Sequence, residues 1–320
     1  MSAEAPSGDW RDLVARAREG EPRAVARLIS WVEDGSPFLP EVMAELSGSV
    51  PPAYVIGVTG APGVGKSTTT SALVDAYRAR GLRVGVLAVD PTSPFTGGAL
   101  LGDRIRMQHH ATDEGVFIRS MASRGHLGGI AAGTPQAMRI LEAAGCAIVI
   151  VETVGVGQSE VEVAGTADAT VVLLAPGMGD GIQAAKAGIL EVGDILCVNK
   201  ADRDGADATV REVRHMLSMG SAGSGWTPLV VTSVASRGEV ADLVAALDAR
   251  QAWLGEDDHL RERRRRRAAE EVLAIAAGRV RGELAGRLTD DLTDAVASGS
   301  MDPYSAAARL LGPGVGPLGA

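Results

Sequence analysis

Hydrophobic and polar positions divide the chain into three stretches. Near the N-terminus, apolar residues recur at helical spacing and predict helices over Asp9–Arg18, Pro22–Glu33 and Pro40–Leu46, with Pro51-Pro52 closing the segment. From Tyr54 the pattern changes to short, nearly continuous apolar runs: Tyr54–Thr59, Val84–Val89, Val116–Ser120, Ala147–Val151, Ala169–Ala175, Ile195–Val198 and Leu229–Val231. Strands covered on both faces have this composition. The helical stretches between them make βα units, so the expected fold is α/β, with a mostly parallel, doubly wound sheet. Beyond about Asp257 the pattern is helical. That tail is too long to be the last layer of the sheet domain, and Val272, Ile275, Ala276 and Val280 give it an apolar face that needs a partner. The expected organisation is an N-terminal helical segment (1–50), a nucleotide-binding domain (51–256) and a helical arm (257–320) through which two copies pair as a two-fold homodimer.

Composition narrows the function classes. Aromatic residues are only 3% of the chain, so Ala, Val, Leu and Ile must build the core. A net charge of −9 argues against a nucleic-acid partner or a basic membrane-docking surface. Met1–Trp10 has neither the basic nor the apolar region of a secretory signal, and no apolar run approaches the ~18 residues of a spanning helix, so a cytoplasmic location is expected. Cys146 and Cys197 sit at or in apolar runs, as small buried hydrophobes of a reducing compartment do. Six arginines fall within Arg261–Arg267, with Glu262, Glu270 and Glu271 close by; a solvated helix start is expected there.

The chemistry is signalled by lysine. Only Lys66, Lys186 and Lys200 occur among 320 residues, every other basic side chain being arginine. Arginine's planar fork cannot replace a compact ammonium in a tight phosphate loop. Lys66 ends the Gly-rich stretch Gly60-Ala-Pro-Gly63-Val64-Gly65-Lys66-Ser67-Thr68, between the first predicted strand and a helix over Lys66–Arg80. That context marks a phosphate loop, with Gly63, Val64, Gly65, Lys66, Ser67 and Thr68 around the phosphates. Lys66 is expected to bridge the β- and γ-phosphates and Ser67 to ligate Mg²⁺. Lys200 lies in Asn199-Lys200-Ala-Asp202 after the strand Ile195–Val198. The Asp202 carboxylate can accept from both the ring N–H and the exocyclic amine of guanine, a pair that adenine lacks.

Three acidic residues fall where strands end or shortly after: Asp90, Asp103 and Glu152. Carboxylates there face the ligand crevice of an open α/β sheet and suit Mg²⁺. Gly155 follows Glu152 in a loop of the kind whose glycine N–H senses the γ-phosphate. Pro176-Gly-Met-Gly-Asp-Gly181 precedes a helix on which Gln183 and Lys186 share a face. The loop suits a mobile segment, and the scarcity of lysine makes Lys186 a switch candidate.

These stretches, together with Asp90-Pro-Thr-Ser-Pro-Phe-Thr-Gly-Gly98, Gly102-Asp-Arg-Ile-Arg-Met107, Arg119–His126 and Val151–Glu160, closely resemble the MeaB/ArgK family. That resemblance covers nearly the whole chain and implies a Mg²⁺-dependent GTPase that binds GTP and GDP, binds no cobalamin itself, and chaperones a cobalamin-dependent acyl-CoA mutase, chiefly methylmalonyl-CoA mutase, together with its adenosyltransferase. It assigns catalytic work to Lys66, Asp90, Glu152, Gln183 and Lys186, and metal binding to Ser67, Asp90, Asp103 and Glu152. It assigns the base site to Asn199, Lys200 and Asp202, with Ser233 and Val234 in the guanine-contacting loop. Val234 departs from the family's alanine and needs more room. The rival expectations are an ATP-using, transport-associated kinase, against which Asp202 argues, and a nickel-inserting GTPase, whose usual Cys and His clusters are not matched.

Overall fold

The computed structural model describes residues 9–48, 51–91, 110, 112–123, 133–153, 165–177, 193–219 and 225–312. All seven expected strands form: β1 (Tyr54–Gly60), β2 (Val84–Pro91), β3 (Val116–Ser123), β4 (Ile148–Thr153), β5 (Ala169–Leu174), β6 (Ile195–Asn199) and β7 (Leu229–Ser233). Every pairing is parallel, in the order β3-β2-β4-β1-β5-β6-β7. β2 and β3 lie on one side of β1, with β4 inserted between β1 and β2, and β5, β6 and β7 follow on the other side, so the order reverses at β1 and the crevice opens at its C-terminal end.

Period-2 alternation sorts the buried strand residues onto the two faces. Val55, Leu87, Val149 and Val151 face one core, shared with α1 (Trp10–Arg18), α2 (Pro22–Asp34), α3 (Leu39–Leu46) and α5 (Thr134–Ala143). Ile56, Val58, Val86 and Ile150 face the other, under α4 (Lys66–Ala79) and α7 (Ala241–Leu254). A smaller cluster seats α6 (Ala206–Met219) on β5 and β6 through Val213. The N-terminal helices thus supply one layer of the sheet domain. Local signals bound them: Asp9 accepts from Arg11 N at 3.0 Å to start α1, and Gly35, in the left-handed region, ends α2. Cys146 and Cys197 are free and buried, and burial pushes both thiols up to about 12.

Two compact units result, residues 1–267 and 268–320. Helix α8 (His259–Arg287) begins in the first, and α9 (Asp290–Ala297) and α10 (Pro303–Leu311) lie in the second, where Val272, Leu273, Val280, Leu288 and Tyr304 are exposed.

The arginine run corrects one expectation. Arg261, Arg265 and Arg266 are solvated, but Arg263, Arg264 and Arg267 share the other face of α8 and turn inward. Buried Asp168, just before β5, accepts from Val55 N at 3.0 Å and Arg264 Nη2 at 3.2 Å, with Arg267 Nη1 at 3.6 Å. Buried Asp194, just before β6, accepts from Thr170 N at 2.8 Å and pairs with Arg250 at 2.8 Å and Arg263 at 3.4 Å. Arg250 is 2% exposed and lies over the rings of Trp226 and Trp253 at 4.9 and 4.5 Å. Desolvation lowers its pKa, and the Asp194 charge opposes that shift.

Asp194→Ala would leave the Arg250 guanidinium buried beside the Trp226 and Trp253 rings without its anion. Urea denaturation should show a loss of roughly 3–5 kcal/mol, the usual cost of breaking one partner of a buried pair. Asp248→Ala, which removes an exposed pair with Arg80, should leave the midpoint within error.

Candidate nucleotide site

At the end of β1 the backbone runs too close to β5 for a side chain: a Cβ on Gly60 would meet the Leu173 carbonyl oxygen at 2.5 Å, and φ is +143°. The chain turns through the phosphate loop and enters α4 at Gly65, whose φ of +102° only glycine adopts readily. A Cβ there would also meet Asn199 Nδ2 at 2.5 Å. The first N–H groups of α4 therefore point into the crevice, where they and the helix dipole favour phosphate. Lys66 opens the helix and curls back over the loop, its Nζ donating to the carbonyls of Gly60 at 2.6 Å and Ala61 at 3.3 Å.

Ser67 Oγ donates to Glu152 Oε1 at 2.7 Å, with both side chains buried. The register explains the meeting, since β4 places Glu152 opposite Val58 of β1, two residues before the loop begins. A hydroxyl and a carboxylate at the mouth of a phosphate loop form a hard oxygen donor set, which suits Mg²⁺. Ser67 and Glu152 are the described side chains that would hold the ion, which when bound would offset the negative charge of the phosphates. Asp90 lies on β2, one residue past the level at which Val89 pairs with Thr153, on the same strand end as Glu152. Asp103, Gly155, Gln183 and Lys186 lie outside the described residues.

The base side is organised by one buried amide. Asn199 ends β6, and its Nδ2 donates to the Val64 carbonyl at 2.8 Å. Its Oδ1 accepts from Ser233 Oγ at 3.1 Å and Ala235 N at 3.2 Å. Lys200 follows in a left-handed conformation (φ 58°), and its Nζ donates to the Gly63 carbonyl at 2.5 Å. Such strain persists where surrounding contacts fix it, and here it turns the chain so that Asp202 stands beyond the strand end. Ser233 ends β7 and Val234 leads into the turn Ala235–Arg237, where the Val234 amide donates to the Glu239 carbonyl at 3.0 Å.

Arg237 was not legible as a site residue. Its Nη2 lies 3.3 Å from Asp202 Oδ2. Its place just after Ser233 and Val234, the loop expected to contact guanine, was the sole sequence signal.

A parallel sheet with a phosphate loop at its switch point, a Ser–Glu oxygen pair beside it and a guanine-type motif at the end of β6 define a P-loop GTPase, an enzyme that hydrolyses GTP to GDP and phosphate. The chain belongs to the MeaB family: the family model described as methylmalonyl Co-A mutase-associated GTPase MeaB matches residues 25–288. A Pyrococcus horikoshii relative is 46% identical over 306 residues, 94% of this chain and 96% of its own. GTPase ArgK of Escherichia coli is 43% identical over 209 residues, 64% of this chain and 63% of its own. The crystal structure of a LAO/AO transport system kinase superposes with a TM-score of 0.70 over 97% of this chain and 98% of that one, at 26% identity. Among the described residues, no helix is long and apolar enough to cross a membrane.

Asn199→Asp keeps the acceptor toward Ser233 and Ala235 but sets an oxygen against the Val64 carbonyl. A buried donor lost in this way costs roughly 1–3 kcal/mol. GDP affinity measured by calorimetry should fall about ten- to a hundred-fold.

Proposed function

We propose that GTP hydrolysis by this chain gates and protects a cobalamin-dependent acyl-CoA mutase, the methylmalonyl-CoA enzyme being the first candidate. The observation that carries this reading is the family match over residues 25–288, whose description names that mutase. In the proposed cycle, Asn199, Lys200 and Asp202 hold guanine, and the α4 N-terminus and Lys66 hold the phosphates. Ser67 and Glu152, with Asp90 and Asp103, hold Mg²⁺. Gly155 senses the γ-phosphate, and Gln183 and Lys186 link hydrolysis to the bound mutase. The chain reports nucleotide state to the mutase and its adenosyltransferase and takes up no cobalamin itself.

A kinase reading draws support from the superposition on the LAO/AO transport system kinase. The two readings differ at the base, since Asp202 offers an acceptor where adenine offers no donor pair. ATP displacing bound GDP as well as GTP does would favour the kinase.

Co-purification with candidate mutases, with and without a non-hydrolysable GTP analogue, tests the partner: complex formation should depend on the nucleotide. Single-turnover assays should show hydrolysis accelerated by the mutase. Lys186→Ala should lower that accelerated rate far more than the basal one, because a cation supplied to the developing phosphoryl charge is worth ~10³–10⁵ in rate where it is known. Equal losses in both rates would make Lys186 an ordinary active-site group.

The exposed apolar residues Val272, Leu273 and Val280 support pairing of two copies through the C-terminal helices. The cut that tests this falls after Arg267, because Arg263, Arg264 and Arg267 hold Asp168 and Asp194. Light scattering should find the full chain dimeric at micromolar concentration and the 1–267 fragment monomeric and still able to bind GDP. A monomeric full chain would contradict the arm's role.

A further inference from the structure

Base recognition requires the Asp202 carboxylate to present both oxygens edge-on, one to the ring N–H and one to the exocyclic amine. The terminal torsion of an aspartate is broad, so a carboxylate without a neighbour samples many orientations. Asp202 is about one-third exposed, and solvent would leave it free to turn. The ion pair with Arg237 restrains it, with the guanidinium Nη2 3.3 Å from Oδ2. A carboxylate oxygen has two lone pairs, so Oδ2 can serve Arg237 and a base together, while Oδ1 remains for the second contact.

The turn that presents Arg237 is itself fixed. Arg237 N donates to the Val234 carbonyl at 2.9 Å, and Gly238 N to the Ala235 carbonyl at 3.1 Å. Val234 and Glu239 exchange amide bonds at 3.0 and 3.3 Å. Gly238 takes φ +75°, and Ala235 N is tied to Asn199 Oδ1 at 3.2 Å. Arg237 is therefore held in register with the same Asn199 amide that grips Val64 of the phosphate loop. The Val234 amide is engaged with Glu239, so the burden of distinguishing guanine falls on Asp202.

We infer that Arg237 is a positioning residue for guanine selection, holding the Asp202 carboxylate in the orientation that reads the base. This rests on the reading that Asp202 contacts guanine. The test measures GDP and IDP affinity by calorimetry for the wild type, Arg237→Ala, Arg237→Lys, Asp202→Asn and the double variant. IDP lacks the exocyclic amine and so isolates one of the two contacts.

At low salt Arg237→Ala should weaken GDP binding about two- to five-fold, the range of an exposed ion pair. It should also narrow the preference for GDP over IDP, and Arg237→Lys should recover part of the loss. The difference from wild type should shrink at high salt and vanish in the Asp202→Asn background. Unchanged or tighter GDP binding in Arg237→Ala would overturn the inference, as would an equal loss in the Asp202→Asn background, which would mean that Arg237 only folds the turn. Asp202→Asn with wild-type GDP affinity is the separate outcome that overturns the guanine reading beneath it.

Discussion

The nucleotide site depends on the side-chain amide of Asn199. One buried group donates to the phosphate loop at Val64 and accepts from Ser233 at the end of β7 and Ala235 just beyond it. Three segments far apart in the chain are thereby held at fixed separation. An amide can do this because it carries donor and acceptor on one rigid plane; a carboxylate or hydroxyl of similar size offers a different balance. The same contact accounts for Gly65, since a side chain there would occupy the space of Asn199 Nδ2. The phosphate loop and the segments proposed to hold the base are thus two ends of one hydrogen-bonded unit, and Lys200 adds a second strut to the Gly63 carbonyl.

The opposite end of the sheet is held by charge. Asp168 and Asp194 stand at the starts of β5 and β6, where each also accepts a backbone N–H. Buried carboxylates are costly unless paired, and each is paired with arginines, from α8 and, for Asp194, also from α7. These pairs couple the first turns of α8 to the sheet. They leave the crevice at the strand C-termini for ligand chemistry, where the polar groups are arranged around loops. The division follows from the parallel sheet, which gathers all strand C-termini on one side.

Much of this was legible in the chain. Apolar runs covered on both faces announced the seven strands, and the glycines of the phosphate loop announced its conformation, because both signals are local. The Asn199–Asp202 motif was legible for the same reason. The pairings of Arg263, Arg264 and Arg267 were not, because an arginine on a helix looks the same in sequence whether it faces water or a buried aspartate. Asp168 and Asp194 gave no sign either, sitting before strands where acidic residues are ordinary turn formers.

Sequence alone determined the elements, their parallel character, the phosphate loop and the guanine-type motif, since each rests on residues close together in the chain. Tertiary structure decided which strand lies at the centre, that Ser67 meets Glu152, and that Arg237 meets Asp202. Those contacts join residues from different βα units. Strand order and register bring them together, and both are set by how helices cover the two faces of the sheet, not by local spacing along the chain.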